Sequence, residues 1–164
     1  MDLSNFDPQA FLSMSMDQPF EKRANLPTDA TYPGDIKDVK VRPWRSQDKT
    51  DEAGAQLQGI ALDVEVELAI PADIQTRLGI KLPTFRLTHG FILDMTPQGS
   101  IDYAPGKNRA LREYREATDS NRPGQSFSPL MLMGKRVSYR IRHEEYPKGS
   151  GNLVEKIAGV AGKA

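Results

Sequence analysis

The sequence has no cysteine, two histidines and one tryptophan among 164 residues. The lack of cysteine excludes disulfide frameworks, thiolate zinc sites and thiol nucleophiles together, and it is compatible with a reducing compartment. No apolar run approaches the roughly 20 residues of a bilayer-spanning helix, so an integral membrane protein is not expected. The N-terminus lacks the basic segment and apolar run of a secretory signal. Phosphate-binding GxxxxGKS/T and GxGxxG loops are missing, and GKRVS at residues 134–138 has no upstream glycine to make one. His89 and His143 have no GxSxG-type serine to activate. A metal-dependent nuclease needs converging carboxylates with a lysine close by; Asp94 and Asp102 flank a turn, but no lysine stands at fitting spacing. The expectation is a protein that is not an enzyme and holds no cofactor or metal.

Net charge is also missing, since 22 basic residues balance 22 acidic ones. That balance first speaks against a nucleic-acid partner, but it is a cancellation. Residues 1–76 carry 7 basic and 14 acidic side chains, a net of −7, and residues 77–164 carry 15 and 8, a net of +7. A partner feels the field within about 10 Å, so the asymmetry weighs more than the sum. It excludes a uniformly basic binder and leaves room for a polarised one.

Residues 1–28 are polar with scattered Phe6, Phe11, Met14, Met16 and Phe20 and no period. They read as an extended or flexible arm ahead of a domain at residues 29–164. Residues 32–44 read as a strand bent or bulged near Asp38, and the polar residues 45–58 (RSQDKTDEAGAQLQ) as a long loop. The strongest signal is residues 60–70. There Ile60, Leu62, Val64, Val66, Leu68 and Ile70 alternate with small or acidic residues, which predicts a half-buried strand with Asp63, Glu65 and Glu67 outside. Pro71 and Gly79 bracket a short helix. A strand follows at residues 84–95, with His89 in the apolar phase as a core or interface histidine. Residues 108–119 read as a helix with Leu111, Tyr114 and Ala117 as its seam, and with Arg109, Arg112 and Arg115 interspersed with Glu113 and Glu116. Ser128, Pro129 and Gly134 mark one helical turn. Residues 135–146 and 152–160 form a final hairpin around PKGSG.

The order is three strands, a helix and two strands. It predicts an all-β-dominated fold, a five-stranded Greek-key barrel of the OB type with its helix between strands three and four. Such barrels bind oligonucleotides or oligosaccharides across strands two and three and the loops joining strands one–two and four–five.

Five stretches deepen that reading: FDPQAFL at residues 6–12, IKDVKVRPW at 36–44, GIALDVEVEL at 59–68, ILDMT at 92–96, and the run from RPGQSFSP to NLVEKI at 122–157. Together they resemble a phage-encoded OB-fold family related to single-stranded DNA-binding proteins. The resemblance implies non-enzymatic binding of single-stranded DNA during phage replication or recombination, in the cytoplasm of the infected bacterial host. It implies phage replication or recombination proteins as further partners and no membrane. One departure stands out, because the chain ends in KIAGVAGKA rather than an acidic, aromatic-tipped recruiting tail.

Binding single strands without sequence preference needs cations along the phosphate path and aromatic faces for the bases. The candidates are Arg42, Trp44, Arg45 and Lys49 near the first strand's exit, Arg86 on the third strand, and Arg136, Arg140, Arg142, Tyr146 and Lys148 on the final hairpin. Tyr139 shares the phase of Val137 and Ile141 and is assigned to the core. Lys37 and Lys40 are discounted as opposed by Asp35 and Asp38, and the acidic row 63–65–67 is expected to repel phosphates. The competing expectation is a structural or interaction protein, a virion component or host-factor binder, assembling through its N-terminal arm. The arm or an open strand edge also offers a route to a homo-oligomer.

Overall fold

The alternation over residues 60–70 becomes the two faces of a central strand. In the computed structural model, which describes residues 7–18, 25–146 and 149–160, Leu62, Val64, Val66 and Leu68 are buried, and Asp63, Glu65 and Glu67 occupy the opposite face. They lie on β2 (Gln56–Ala69), which pairs with β1 (Thr31–Thr50) and β3 (Thr84–Leu93). β4 (Arg136–Tyr146) pairs with β1 and with β5 (Gly149–Ala158). All pairs are antiparallel, in the order β3-β2-β1-β4-β5. Helix α1 (Pro8–Leu12) precedes the sheet, α2 (Ala72–Leu78) joins β2 to β3, and α3 (Arg109–Ala117) with a 3-10 turn (Pro129–Leu132) lies between β3 and β4. None of the described helices is long and apolar enough to cross a membrane.

The fold is mostly β with five strands and a helix between the third and fourth, as the sequence predicts. Its sheet, however, is not closed into a barrel, because β3 and β5 are left as edges. Helix α3 packs beside this opening, chiefly against β5 and β4. Its Tyr114 is fully buried, with its hydroxyl 3.1 Å from Nδ1 of His89 on β3 and accepting from the Tyr139 hydroxyl of β4 at 3.4 Å. Glu113 Oε2 accepts the Ile157 N–H of β5 at 3.3 Å. The helix thereby satisfies an edge donor of β5 with a carboxylate rather than a neighbouring strand.

A second correction concerns residues 45–58. They are not a loop, since β1 continues to Thr50 and β2 begins at Gln56. Asp51 closes the hairpin by accepting the N–H groups of Ala53 and Ala55, both at 2.9 Å, and Gly54 supplies the left-handed φ of 81° that the turn requires. Residues 47–58 are all exposed, so this end of the hairpin buries neither face and shows no period-two pattern.

The bulge near Asp38 is present. Ile36 faces Val66 and Asp38 faces Glu65, which leaves Lys37 as the extra residue. Just before it, Gly34 is flanked by β2 and β4 at once. A Cβ there would lie 2.7–2.8 Å from Val66, Leu68 and Tyr139 side-chain atoms, so only glycine lets the strands and the core close around that point. Gly79 (φ 65°) and Gly134 (φ 71°) follow their short helices as expected. No residue from 7 to 18 is buried, and Asp7 caps α1 through the N–H groups of Gln9 and Ala10. Leu26, in contrast, is fully buried. Its N–H donates to Asn152 Oδ1 at 2.8 Å and its carbonyl lies 2.7 Å from His143 Nε2, so the packed body begins before residue 29.

Candidate nucleic-acid interface

Opposite the core, the outer face of β1–β2–β3 carries rows of charge set by strand register. Lys37 Nζ lies 3.1 Å from Glu67, Lys40 Nζ 2.5 Å from Glu65 and 3.1 Å from Asp38, and Arg42 Nε 2.6 Å from Asp63. Arg86 reaches Glu67 from β3 at 3.5 Å. The Lys37 ammonium holds the Glu67 carboxyl below the usual carboxylate range, Lys40 does the same for Asp38, and Glu65 raises the Lys40 ammonium. The expected repulsive row 63–65–67 is thus a neutralised ladder. Lys37 and Lys40 answer acids across the strand pair, which sequence neighbours alone do not show. Gly90 makes room for it, because a Cβ there would sit 2.6 Å from Asp63 Oδ1.

Next along the same face is an apolar strip. Trp44 pairs with Gly59, and a Cβ at position 59 would lie 3.9 Å from the indole and 3.9 Å from Ile92. The indole is half-buried above a backbone with no side chain, with Ile92 47% exposed on its far side. Trp44 therefore sits half-buried within a strand that continues to Thr50 rather than at a strand exit. Arg45 and Lys49 follow on the hairpin, both exposed, and neither has a carboxylate within 4 Å among the described residues.

The β4 candidates fall elsewhere. Arg136 is 3.5 Å from Asp35 and Arg140 3.2 Å from Glu155, while Arg142 is exposed without an ion pair among the described residues. Tyr146 ends β4 opposite Gly149, but its side chain and the whole of Lys148 lie outside the described residues. Register places Arg136 opposite Asp35 and Arg140 opposite Thr31. Trp44 lies nine residues beyond Asp35 on β1, roughly 30 Å of strand. The structure gathers Arg42 and Trp44 at one end of the outer face, with Arg45 and Lys49 on the hairpin beyond. Arg86 falls at the other end, in one cross-strand row with Glu67, Asp35 and Arg136, roughly 26 Å of strand from Trp44, so Arg86 and the arginines of β4 are set apart from the indole.

Other assignments from sequence hold. Tyr139 is fully buried, and His89 belongs to the core with Phe91 and Tyr114 at ring-centroid distances of 5.1 and 5.7 Å. Burial pushes the His89 imidazole down to about 4 and raises the Tyr114 and Tyr139 hydroxyls. Arg109 and Arg112 pair along α3 with Glu113 and Glu116, whereas Arg115 instead donates to Ser120 O and lies 5.0 Å from the Phe127 ring centroid. Sequence spacing missed Lys107, which comes 3.6 Å from Asp94. The carboxylates there act as a clamp. Asp94 Oδ2 accepts the Asn108 N–H and Asp102 Oδ1 accepts the Ala104 N–H, so both hold loop backbone. Among the described residues no three histidine or acidic side chains gather where they could hold a metal ion. Gly59 and Ile92 were also missed, since only the pairing of three strands brings them beside Trp44. Compared with known families and curated proteins, the chain has no match to either.

Proposed function

We propose that the chain is a non-catalytic single-stranded DNA-binding protein of the OB type, whose strand path crosses Trp44. The observation that carries this reading is the half-buried indole over Gly59, at the base of a hairpin bearing Arg45 and Lys49, which have no carboxylate within 4 Å among the described residues. A base stacked on an indole gains about 1–3 kcal/mol without regard to its identity. The partly exposed pair beside it is worth about 0–1 kcal/mol, so Arg42 can exchange the Asp63 carboxylate for a phosphate at little cost. The OB assignment is supported by the strand order, in which a single further pairing, β3 with β5, would complete a barrel. Phage replication or recombination, in the cytoplasm of the bacterial host, is supported by the motif resemblance.

Trp44 is the only tryptophan, so its fluorescence reports the site directly. Titration with oligo(dT) is expected to quench it saturably, with affinity falling as salt rises. No binding to any single strand at about 50 mM salt removes the proposal. Reversing Arg45 and Lys49 to Glu is expected to weaken binding more than reversing Arg140 and Arg142; the opposite ranking moves the path to β4. The alternative, a protein that assembles through its N-terminal arm, is favoured by the exposed apolar side chains of residues 7–18.

A further inference from the structure

The segment 7–18 presents apolar side chains that its own body does not cover. Leu12, Met14 and Met16 are 77%, 52% and 60% exposed, and the segment carries two acids, Asp7 and Asp17, and no cation. Elsewhere on the molecule, a cavity of about 330 Å³ opens between β3, α3 and the segment leading to the 3-10 turn. An adjoining cavity of about 210 Å³ shares its wall and runs along α3. Ile101, Leu111 and Phe127 floor this groove, and Tyr103, Arg112 and Arg115 rim it. Tyr103 is 81% exposed. Arg115 has no carboxylate within 4 Å among the described residues, and Arg112 has only the loose 3.6 Å contact with Glu116.

An apolar floor under a cationic rim suits a short peptide with apolar side chains and net negative charge. The arm has both properties, and in this structure the chain's own arm does not occupy the groove. We infer that residues 7–18 of one chain dock in the α3 groove of a second copy. A reciprocal exchange buries both arms in a closed two-fold dimer with no unfilled groove. Seating Leu12 and Met16 on Ile101, Leu111 and Phe127 removes their apolar surface from water, and Asp17 then meets Arg112 and Arg115. This inference goes beyond DNA binding and does not rest on it, because the groove and the Trp44 face are built from different residues.

Sedimentation of the full chain tests it. A concentration-dependent dimer is expected. Two variants should each weaken dimerisation at least about 10-fold, Leu12→Glu with Met16→Glu in the arm and Tyr103→Glu at the groove rim. All three positions are exposed, so the fold survives, and oligo(dT) binding should persist in both variants. A chain that stays monomeric up to about 100 µM overturns the inference and leaves an arm on its own body or a foreign peptide as the occupant. A dimer that either variant leaves intact overturns it as well.

Discussion

The two faces of one sheet treat titratable groups in opposite ways. On the inner face, His89, Tyr114 and Tyr139 are joined by hydrogen bonds and held uncharged by burial. On the outer face, Lys37, Lys40, Arg42 and Arg86 meet Asp38, Asp63, Glu65 and Glu67 as charged, partly exposed pairs. Charging an inner group sets desolvation against folding, so inner titration is a stability term. Exchanging partners on the outer face costs little, because water screens every pair. One face can therefore hold the fold together while the other remains free to bind.

The largest expected effect tests the inner face with acid. His89 titrates near 4 in the folded chain against about 6.5 unfolded. A depressed histidine favours the unfolded state once protonated, so the stability present above about pH 6.5 drains away as pH falls toward 4. Urea melts should lose about 2.5 kcal/mol between pH 7.5 and 4.5 through this group. His89→Phe should remove that part of the slope, and an identical acid slope in the variant would assign the loss to other groups. Next, Gly34→Ala forces a methyl into side chains 2.7–2.8 Å away and should cost about 1–3 kcal/mol in the same melts.

Across the sheet, Trp44→Ala should separate binding from stability. Oligo(dT) affinity, followed by anisotropy of a labelled strand, should fall by roughly 1–3 kcal/mol, with a stability cost of about 1 kcal/mol or less. A Trp44 variant that binds normally but melts early would make the indole a packing residue and erase the contrast between the faces. The smallest effect belongs to the ladder. Lys40→Ala should change stability by about 0–1 kcal/mol, and less as salt rises. A larger loss would show that the outer pairs hold the sheet together after all.

How much could be read in advance follows from how local each signal is. The eleven-residue alternation at 60–70 needs no partner to be recognised, and Ser128, Pro129 and Gly134 mark their turn through their own backbone preferences. Residues 45–58 were misread because a two-stranded hairpin buries neither face and so leaves no hydrophobic period. The salt bridges of the outer face depended on the bulge at Lys37, which shifts every later pairing on β1 by one residue. Lys107 lay too far along the chain from Asp94 for spacing to connect them.

The sequence by itself determined that the protein is a mostly antiparallel β structure with its charge divided between halves, since both follow from neighbouring residues and from counting. Only the tertiary structure decided that the sheet stays open, because whether β3 pairs with β5 depends on contacts dozens of residues apart. It also decided where the charge goes. Register turned a row of acids into a neutral ladder and left the half-buried Trp44 beside it, and no pattern along the chain encodes which residues of separate strands will face each other.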